Sequence, residues 1–564
     1  MSSRSLQLIV TMAAIFLILF VFGISCGSSY DQPSRAAPRG IAGRATQENV
    51  RDTYRQLLEK MQNEGYDVSE AQALGEKAKR AIEQGNRPEA QRLLREAIAK
   101  LESLKSSGPK SQRDYQVKEK SSGKEMTFSI SVGADKVRVI DTFPLDVANT
   151  SDNTLANFHV SELNGKGGKV VLNINFPVIV EEYPYSEFAL KNNKAFGATE
   201  SGLVKMRRDV QSRGAPRASS VSDQDSDLKQ IFKIMSQAGI GLARDFQSYD
   251  TRRVEVEARK GEYDYSRSDF AVDACLAAAF DFVGRLGLHY GKMGQEGLPS
   301  DEAAYVAYIR KTVSRYANKV KVWQVLKEPS PEKRGRMGND AGLSPKDVVR
   351  VLELSYNTIK SVDPNATVYF PGLGAPIKRG GQYTDESYLS EIISLGGGKY
   401  FDAIGFDAYV FDIEQQVQTY TTILKRYGYD KPLWVAQTGV PTGKITQSIP
   451  FRGGGSDRAQ VEFMVKAYAT AFALGVEKVF WGEFLDKSKS EEKGRSAFSD
   501  TWNQTGLFYT GTWAKKPGYF THRLLATALD NFAGATQLTP NIVKFTFSNR
   551  SPIYLVWPKG DENE

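Results

Sequence analysis

The sequence predicts an α/β protein organised around a (β/α)8 barrel, and three observations carry that expectation. Between residues 195 and 532, eight short apolar runs recur, at 195–199, 241–246, 280–288, 320–326, 366–372, 401–408, 433–437 and 478–484. Helical patterns separate many of them, among them 225–238, 302–317, 345–360 and 457–474. The stretch Lys321-Val-Trp-Gln-Val-Leu-Lys-Glu-Pro329 reads as a buried strand that delivers a carboxylate, Glu328, before Pro329 stops the ladder. Strands alternating with helices imply a parallel sheet, and eight repeats over this length suit a closed barrel. In that fold, function sits on the loops after the carboxyl ends of the strands, where Glu328 falls. Taken alone, Glu328 also fits an ordinary surface glutamate at a strand terminus.

The bulk numbers bound the rest. At 564 residues the chain is too long for one ordinary core. Its 41% hydrophobic and 25% charged residues are those of a globular protein. The net charge of +8 is scattered rather than striped, which disfavours nucleic acid and permits contact with acidic glycans or membrane surfaces. His159, His289 and His522 lack ligand spacing, so a zinc site is not expected. The two cysteines, Cys26 and Cys275, exclude a disulfide framework, and Cys275 lies in a helical pattern as a small hydrophobe. The chain shows no nucleotide loop, metal-ligand cluster or serine or cysteine triad, so no cofactor is required.

Taken in order, residues 1–26 combine Arg4, an apolar run at 6–24 and a small-residue end at Cys26, the pattern of an export signal. The end resembles a bacterial lipoprotein box, which implies lipidation of Cys26. An uncleaved transmembrane anchor is the alternative. Either way the remainder is expected outside the cytoplasmic membrane, tethered to it, in the cell envelope or at the surface. Residues 27–44 read as a flexible tether. Residues 45–105 read as three helices near 46–63, 68–84 and 87–105, a hairpin or spacer that could also engage a protein partner. A polar linker at 106–124 leads to a β-rich module at 125–190, expected to be a small sandwich. Residues 542–547 and 552–557 read as strands again, too few to stand alone, and are expected to complete that module beside the barrel.

Within the barrel segment the residues resemble clan A glycoside hydrolases, family 39 foremost. Gly241-Leu-Ala-Arg-Asp-Phe246, Lys260-Gly-Glu-Tyr-Asp-Tyr265 and Asp269 resemble the clan's opening motifs. Arg315-Tyr316 and Trp323-Gln-Val-Leu-Lys-Glu-Pro329 resemble its "rY … W-E-I-W-N-E-P" segment. Phe401-Asp-Ala-Ile-Gly-Phe-Asp-Ala-Tyr409, Pro432-Leu-Trp-Val-Ala-Gln-Thr-Gly439 and Val479-Phe-Trp-Gly-Glu483 resemble its sixth, seventh and eighth strands. Gly506-Leu-Phe and Lys516-Pro517 resemble its closing segment. The resemblance implies a retaining glycosidase site, with two carboxyl groups about 5 Å apart across the scissile bond. It assigns the acid/base role to Glu328 and the nucleophile position to residue 437.

Three positions depart from that pattern. Gln437 puts an uncharged amide where the nucleophile belongs, and an amide can neither attack nor offset an oxocarbenium charge. Lys327 stands where the family has an asparagine, and a lysine there is expected to pull the Glu328 carboxyl down. Asp407 stands where the family usually has histidine. Tyr249, Tyr290, Tyr409 and Trp481 fall near strand ends, where they could stack on sugar rings or simply pack in the core. Arg244 reads as a partner of strand-end carboxylates or as a sugar contact. Three functions follow. One is a barrel that binds a polysaccharide or oligosaccharide with reduced or lost retaining activity. Another is an active glycoside hydrolase with Glu328 as acid and a relocated second carboxylate, Asp407 or Glu483. The third is a structural envelope lipoprotein using its helical segment.

Overall fold

The computed structural model describes residues 50–58, 61, 69–107, 125–145, 147, 153–199, 221–246, 249–289, 298–329, 342–371, 378–379, 382–409, 413–443, 454–486, 504–509 and 514–558. Residues 1–44, with Cys26, and Tyr290 lie outside the described residues. Among the described residues no helix is long and apolar enough to cross a membrane.

Eight strands close a parallel barrel. They are β1 (Asn193–Thr199), β2 (Ile240–Arg244), β3 (Asp281–Leu286), β4 (Val322–Val325), β5 (Thr367–Phe370), β6 (Ala403–Asp407), β7 (Leu433–Thr438) and β8 (Lys478–Gly482). Each pairs with the next, and β8 returns to β1. All eight fall within or across the windows expected from the sequence. The longer helices that follow or separate them are α1 (Val221–Gln237), α2 (Ser266–Ala277), α3 (Glu302–Tyr316), α4 (Pro345–Val362), α5 (Thr384–Ser394), α6 (Ile413–Arg426), α7 (Asp457–Ala473) and α8 (Pro517–Ala528). Side chains cap several of them: Ser344 and Asp347 form a capping box before α4, and Ser456 accepts from Ala459 at the start of α7.

Alternation along each strand builds two layers inside the barrel. The lower layer is apolar, with Leu242, Val283, Val322, Tyr369, Ala403, Trp434, Ala436 and Phe480 in one cluster. Small neighbours make room for its large rings. A Cβ at Gly197 would lie 2.4 Å from the Phe480 ring, and one at Gly405 would lie 2.2 Å from the Tyr369 hydroxyl. Two residues further along the same faces, the upper layer is polar, with Thr199, Arg244, Arg285, Gln324 and Asp407. The barrel therefore changes from apolar packing to charge towards the carboxyl ends of its strands.

The flanking module is a six-stranded antiparallel sheet in the order Gly534–Thr539, Ile542–Thr546, Ile553–Val556, Val178–Glu182, Lys136–Asp141, Val160–Asn164. The C-terminal strands join it through Ile553–Val556, which pairs with Val178–Glu182. A ribbon of Met126–Ser131 and Lys169–Ile174 covers one face. Val137, Val139, Val180, Tyr554 and Val556 pack there with Ile130, Leu172 and Ile174. The alternate residues Ile140, Ile179, Ile553 and Leu555 belong to the main barrel cluster. The sequence reading placed two strands after the barrel; the structure adds Gly534–Thr539, whose last four residues are exposed and carry no apolar alternation.

The N-terminal unit contains the helices Ser69–Glu83 and Arg87–Ser107, joined at Gly85, which has a left-handed φ of 77°. The Asn86 side chain accepts from the Glu89 N–H and caps the second helix. Ala71, Ala78 and Ala81 on one helix and Ala90, Leu94 and Ala97 on the other are buried. Small side chains on these faces suit close helix packing.

Several buried groups link the barrel to pH, His522 among them. His522 on α8 is fully buried, with Nδ1 donating to the Ala238 carbonyl at 2.9 Å and Nε2 accepting from the Tyr468 hydroxyl at 3.0 Å. Burial pushes its pKa down to about 4, although the Ala238 contact opposes the shift. The unfolded chain therefore takes up this proton near pH 6.5 while the native chain resists until about 4, so stability is lost as pH falls through that interval. The loss is roughly 3 kcal/mol. Asp250 and Asp486, both pushed up to about 6 by burial, oppose it over the same interval. Urea unfolding at pH 7 and pH 4 should thus show a smaller acid loss in His522→Gln than in wild type. Equal losses would exclude this assignment.

Candidate functional site

The site is built where the polar layer meets the ends of β4, β6, β7 and β8. After β4 the backbone leaves the sheet through two left-handed residues, Leu326 with φ 67° and Glu328 with φ 48°. Non-glycine residues avoid that region, so the turn must be held by its surroundings. Gln324 on β4 donates to the Leu326 carbonyl at 3.1 Å, and its own side-chain oxygen accepts from Arg244 at 2.8 Å. Lys327 reaches Asp245 at 2.9 Å, and Arg285 donates to the other Asp245 oxygen at 2.9 Å. The Glu328 side chain is left half-buried at the barrel mouth.

Position 437 lies at an irregularity in the barrel. Gln437 is the register partner of Asp407, and the pairing of β7 shifts on both of its sides. Such shifts re-aim side chains at strand ends. A Cβ on Gly482 would lie 3.7 Å from the Gln437 Cγ and 2.5 Å from the Tyr409 hydroxyl, so the three positions are adjacent. Tyr409 donates to the Gly482 carbonyl at 3.3 Å. Glu483 follows directly, its N–H donating to the Thr505 hydroxyl at 3.1 Å. Gln437, Asp407 and Glu483 retain 8%, 7% and 9% of their surface.

Charge at this mouth is concentrated. Burial raises the Tyr409 hydroxyl well above its ordinary pKa, and Glu483, Asp407 and Glu328 raise it further, while Arg244 opposes. The negative charge of three carboxylates therefore acts on one phenol. Asp245 is held well below the ordinary carboxylate range: burial would raise it, but Lys327, Arg285 and Arg244 outweigh that. Asp250, next to Arg252 and Arg285, is instead pushed up to about 6 by burial. Among the described residues, no three His, Cys, Asp or Glu side chains could together hold a metal ion.

The structure gathers Glu328, Gln437, Asp407, Tyr409 and Glu483 at one end of the barrel and sends other expected residues elsewhere. Trp481 is fully buried outside the strand ring, its indole donating to the Thr505 carbonyl at 3.0 Å and its ring packed against Phe463. Tyr249 is 3% exposed and packs beside Phe270. Neither presents a face for stacking. Arg244 is an interior strut: it donates to Thr199, Gln324 and the Ala436 carbonyl and lies over the Phe480 ring. The Lys327 ammonium, expected to act on Glu328, is engaged by Asp245 instead. Asp269 meets Arg315 and Tyr316, so these motif residues tie α2 to α3 rather than reach the mouth. Sequence reasoning missed Asp245, Arg285, Gln324 and Thr505. The available signal was a polar residue inside an apolar strand, as in Phe282-Val-Gly-Arg-Leu286 and Val322-Trp-Gln-Val325.

Several solved glycoside hydrolases resemble this fold. A family 39 glycoside hydrolase from Bacteroides cellulosilyticus WH2 matches 78% of this chain and 88% of its own, at 15% identity and a TM-score of 0.48. A monomeric beta-xylosidase from Caulobacter crescentus CB15 matches 66% and 75%, at 14% identity and a TM-score of 0.42. A xylanase from Paenibacillus barcinonensis matches 59% and 95%, at 14% identity and a TM-score of 0.38. At these identities the likeness concerns the fold alone. No family model and no curated protein matches the sequence.

Proposed function

We propose that this chain binds a glycan at the carboxyl-terminal mouth of its barrel and that retaining cleavage of that glycan is reduced or lost. The observation that carries this reading is Gln437, set at the β7 irregularity beside Gly482, while Glu328 survives after β4. A retaining mechanism needs a carboxylate at each of those positions. An amide cannot form the covalent intermediate, and the proton donor alone provides only part of the rate.

A second reading is favoured by the surroundings of Tyr409. Glu483 and Asp407 both act on its hydroxyl, as does Glu328. Either could serve as general base in an inverting hydrolysis. Glu328 would protonate the leaving oxygen, and the base would take a proton from the water that attacks the anomeric carbon.

Incubation with a panel of envelope and plant polysaccharides separates the two. The first reading expects mobility in polysaccharide-containing gels to be retarded, with no reducing ends released. Reducing ends from wild type that fall at least about a hundredfold in Glu328→Gln, and likewise in Glu483→Gln or Asp407→Asn, would establish the second. A chain retarded by none of the polysaccharides would sink the glycan reading altogether.

A further inference from the structure

We propose that Asp245 and Lys327 are positioning residues, an ion-pair latch between the ends of β2 and β4 that holds the backbone carrying Glu328. The proposal rests on the reading of Glu328 as a site residue. Lys327 stands between two left-handed residues, Leu326 and Glu328, and its partner Asp245 has a left-handed φ of 67° as well. Three such residues at the ends of β2 and β4, the strands that flank β3 in the barrel, require an outside restraint.

The latch supplies it. The Lys327 ammonium lies 2.9 Å from one Asp245 oxygen, and Arg285 from β3 secures the other at 2.9 Å. Asp245 is 1% exposed on its side chain and Lys327 is 19% exposed, so solvent screens the pair little. The anchor also keeps its charge, since Lys327, Arg285 and Arg244 hold the Asp245 carboxyl well below its ordinary range against the effect of burial. A lysine beside a site glutamate would otherwise be free to meet a ligand or to neutralise its neighbour. Here the chain turns it inward, and the long aliphatic stem spans the gap between two strand ends. The arrangement fixes the direction in which Glu328 leaves β4 without using a ligand contact.

Hydrogen–deuterium exchange of the full chain tests this without any ligand. Lys327→Met keeps the stem and removes the charge. It should speed exchange in the peptide covering 322–328 by about tenfold while leaving 403–409 and 433–438 unchanged. Lys327→Arg should retain the slow exchange, and Asp245→Asn should reproduce the loosening. Unchanged exchange at 322–328 in Lys327→Met would overturn the latch, as would an increase spread evenly over the barrel. Because the readout needs no sugar, a chain that binds no polysaccharide would defeat the glycan reading and leave this result standing.

Discussion

Gln437→Glu is expected to create or raise retaining glycoside cleavage by about two orders of magnitude or more. The substitution restores a carboxylate at the β7 irregularity, opposite Asp407 in register and beside Gly482. It adds one carboxylate to a mouth where Glu328, Asp407 and Glu483 already act on Tyr409. Like charges raise the pKa of a new carboxyl, so activity should climb as pH rises through its titration. Adding Lys327→Asn, which would match the family pattern more fully, is not expected to help. It removes the partner of Asp245 and leaves that buried carboxylate to Arg285. Activity is read as reducing ends with the anomer followed by NMR. If Gln437→Glu cleaves nothing that wild type binds, the mouth has been remodelled beyond one missing charge.

Arg244→Met is expected to destabilise the chain by roughly 3–5 kcal/mol, read from the urea midpoint. The methionine keeps most of the volume and deletes the guanidinium. Left behind are a Gln324 side-chain oxygen, the Ala436 carbonyl and the Thr199 hydroxyl, all buried, and an Asp407 carboxylate deprived of a nearby cation. Each buried acceptor without its donor costs on the order of 1–3 kcal/mol. Because Gln324 also holds the Leu326 carbonyl, the loss should extend to the turn that carries Glu328. A change below about 1 kcal/mol would show that water replaces the guanidinium and that Arg244 is not a strut of the barrel interior.

The barrel was legible because parallel strands covered by helices bury both faces. Such strands read as short apolar runs whatever their neighbours. The C-terminal strands were legible for a related reason: Ile553 and Leu555 face the barrel while Tyr554 and Val556 face the ribbon. The mouth was less so. Trp481 looked like a ring platform, yet its neighbours Phe480 and Gly482 take the inward positions, and alternation turns the indole outward. A shift of one residue in a strand exchanges its two faces, and an irregularity such as that at Gln437 cannot be placed from residue types alone. Lys327 shows the same limit. Its sequence neighbour is Glu328, but its ion-pair partner lies 82 residues earlier.

The sequence by itself determined the strand–helix alternation, the surviving Glu328 and the amide at 437, because burial and chemical identity are properties of single residues and their periods. Only the tertiary structure decided which polar side chains meet. Arg285 and Gln324 became part of one polar layer, Lys327 was drawn to Asp245, and Tyr409 was set against the Gly482 carbonyl within the field of Glu483, Asp407 and Glu328. Those meetings depend on strand register and on three left-handed residues at two strand ends. Closing the barrel sets both, by bringing together residues that the chain keeps far apart.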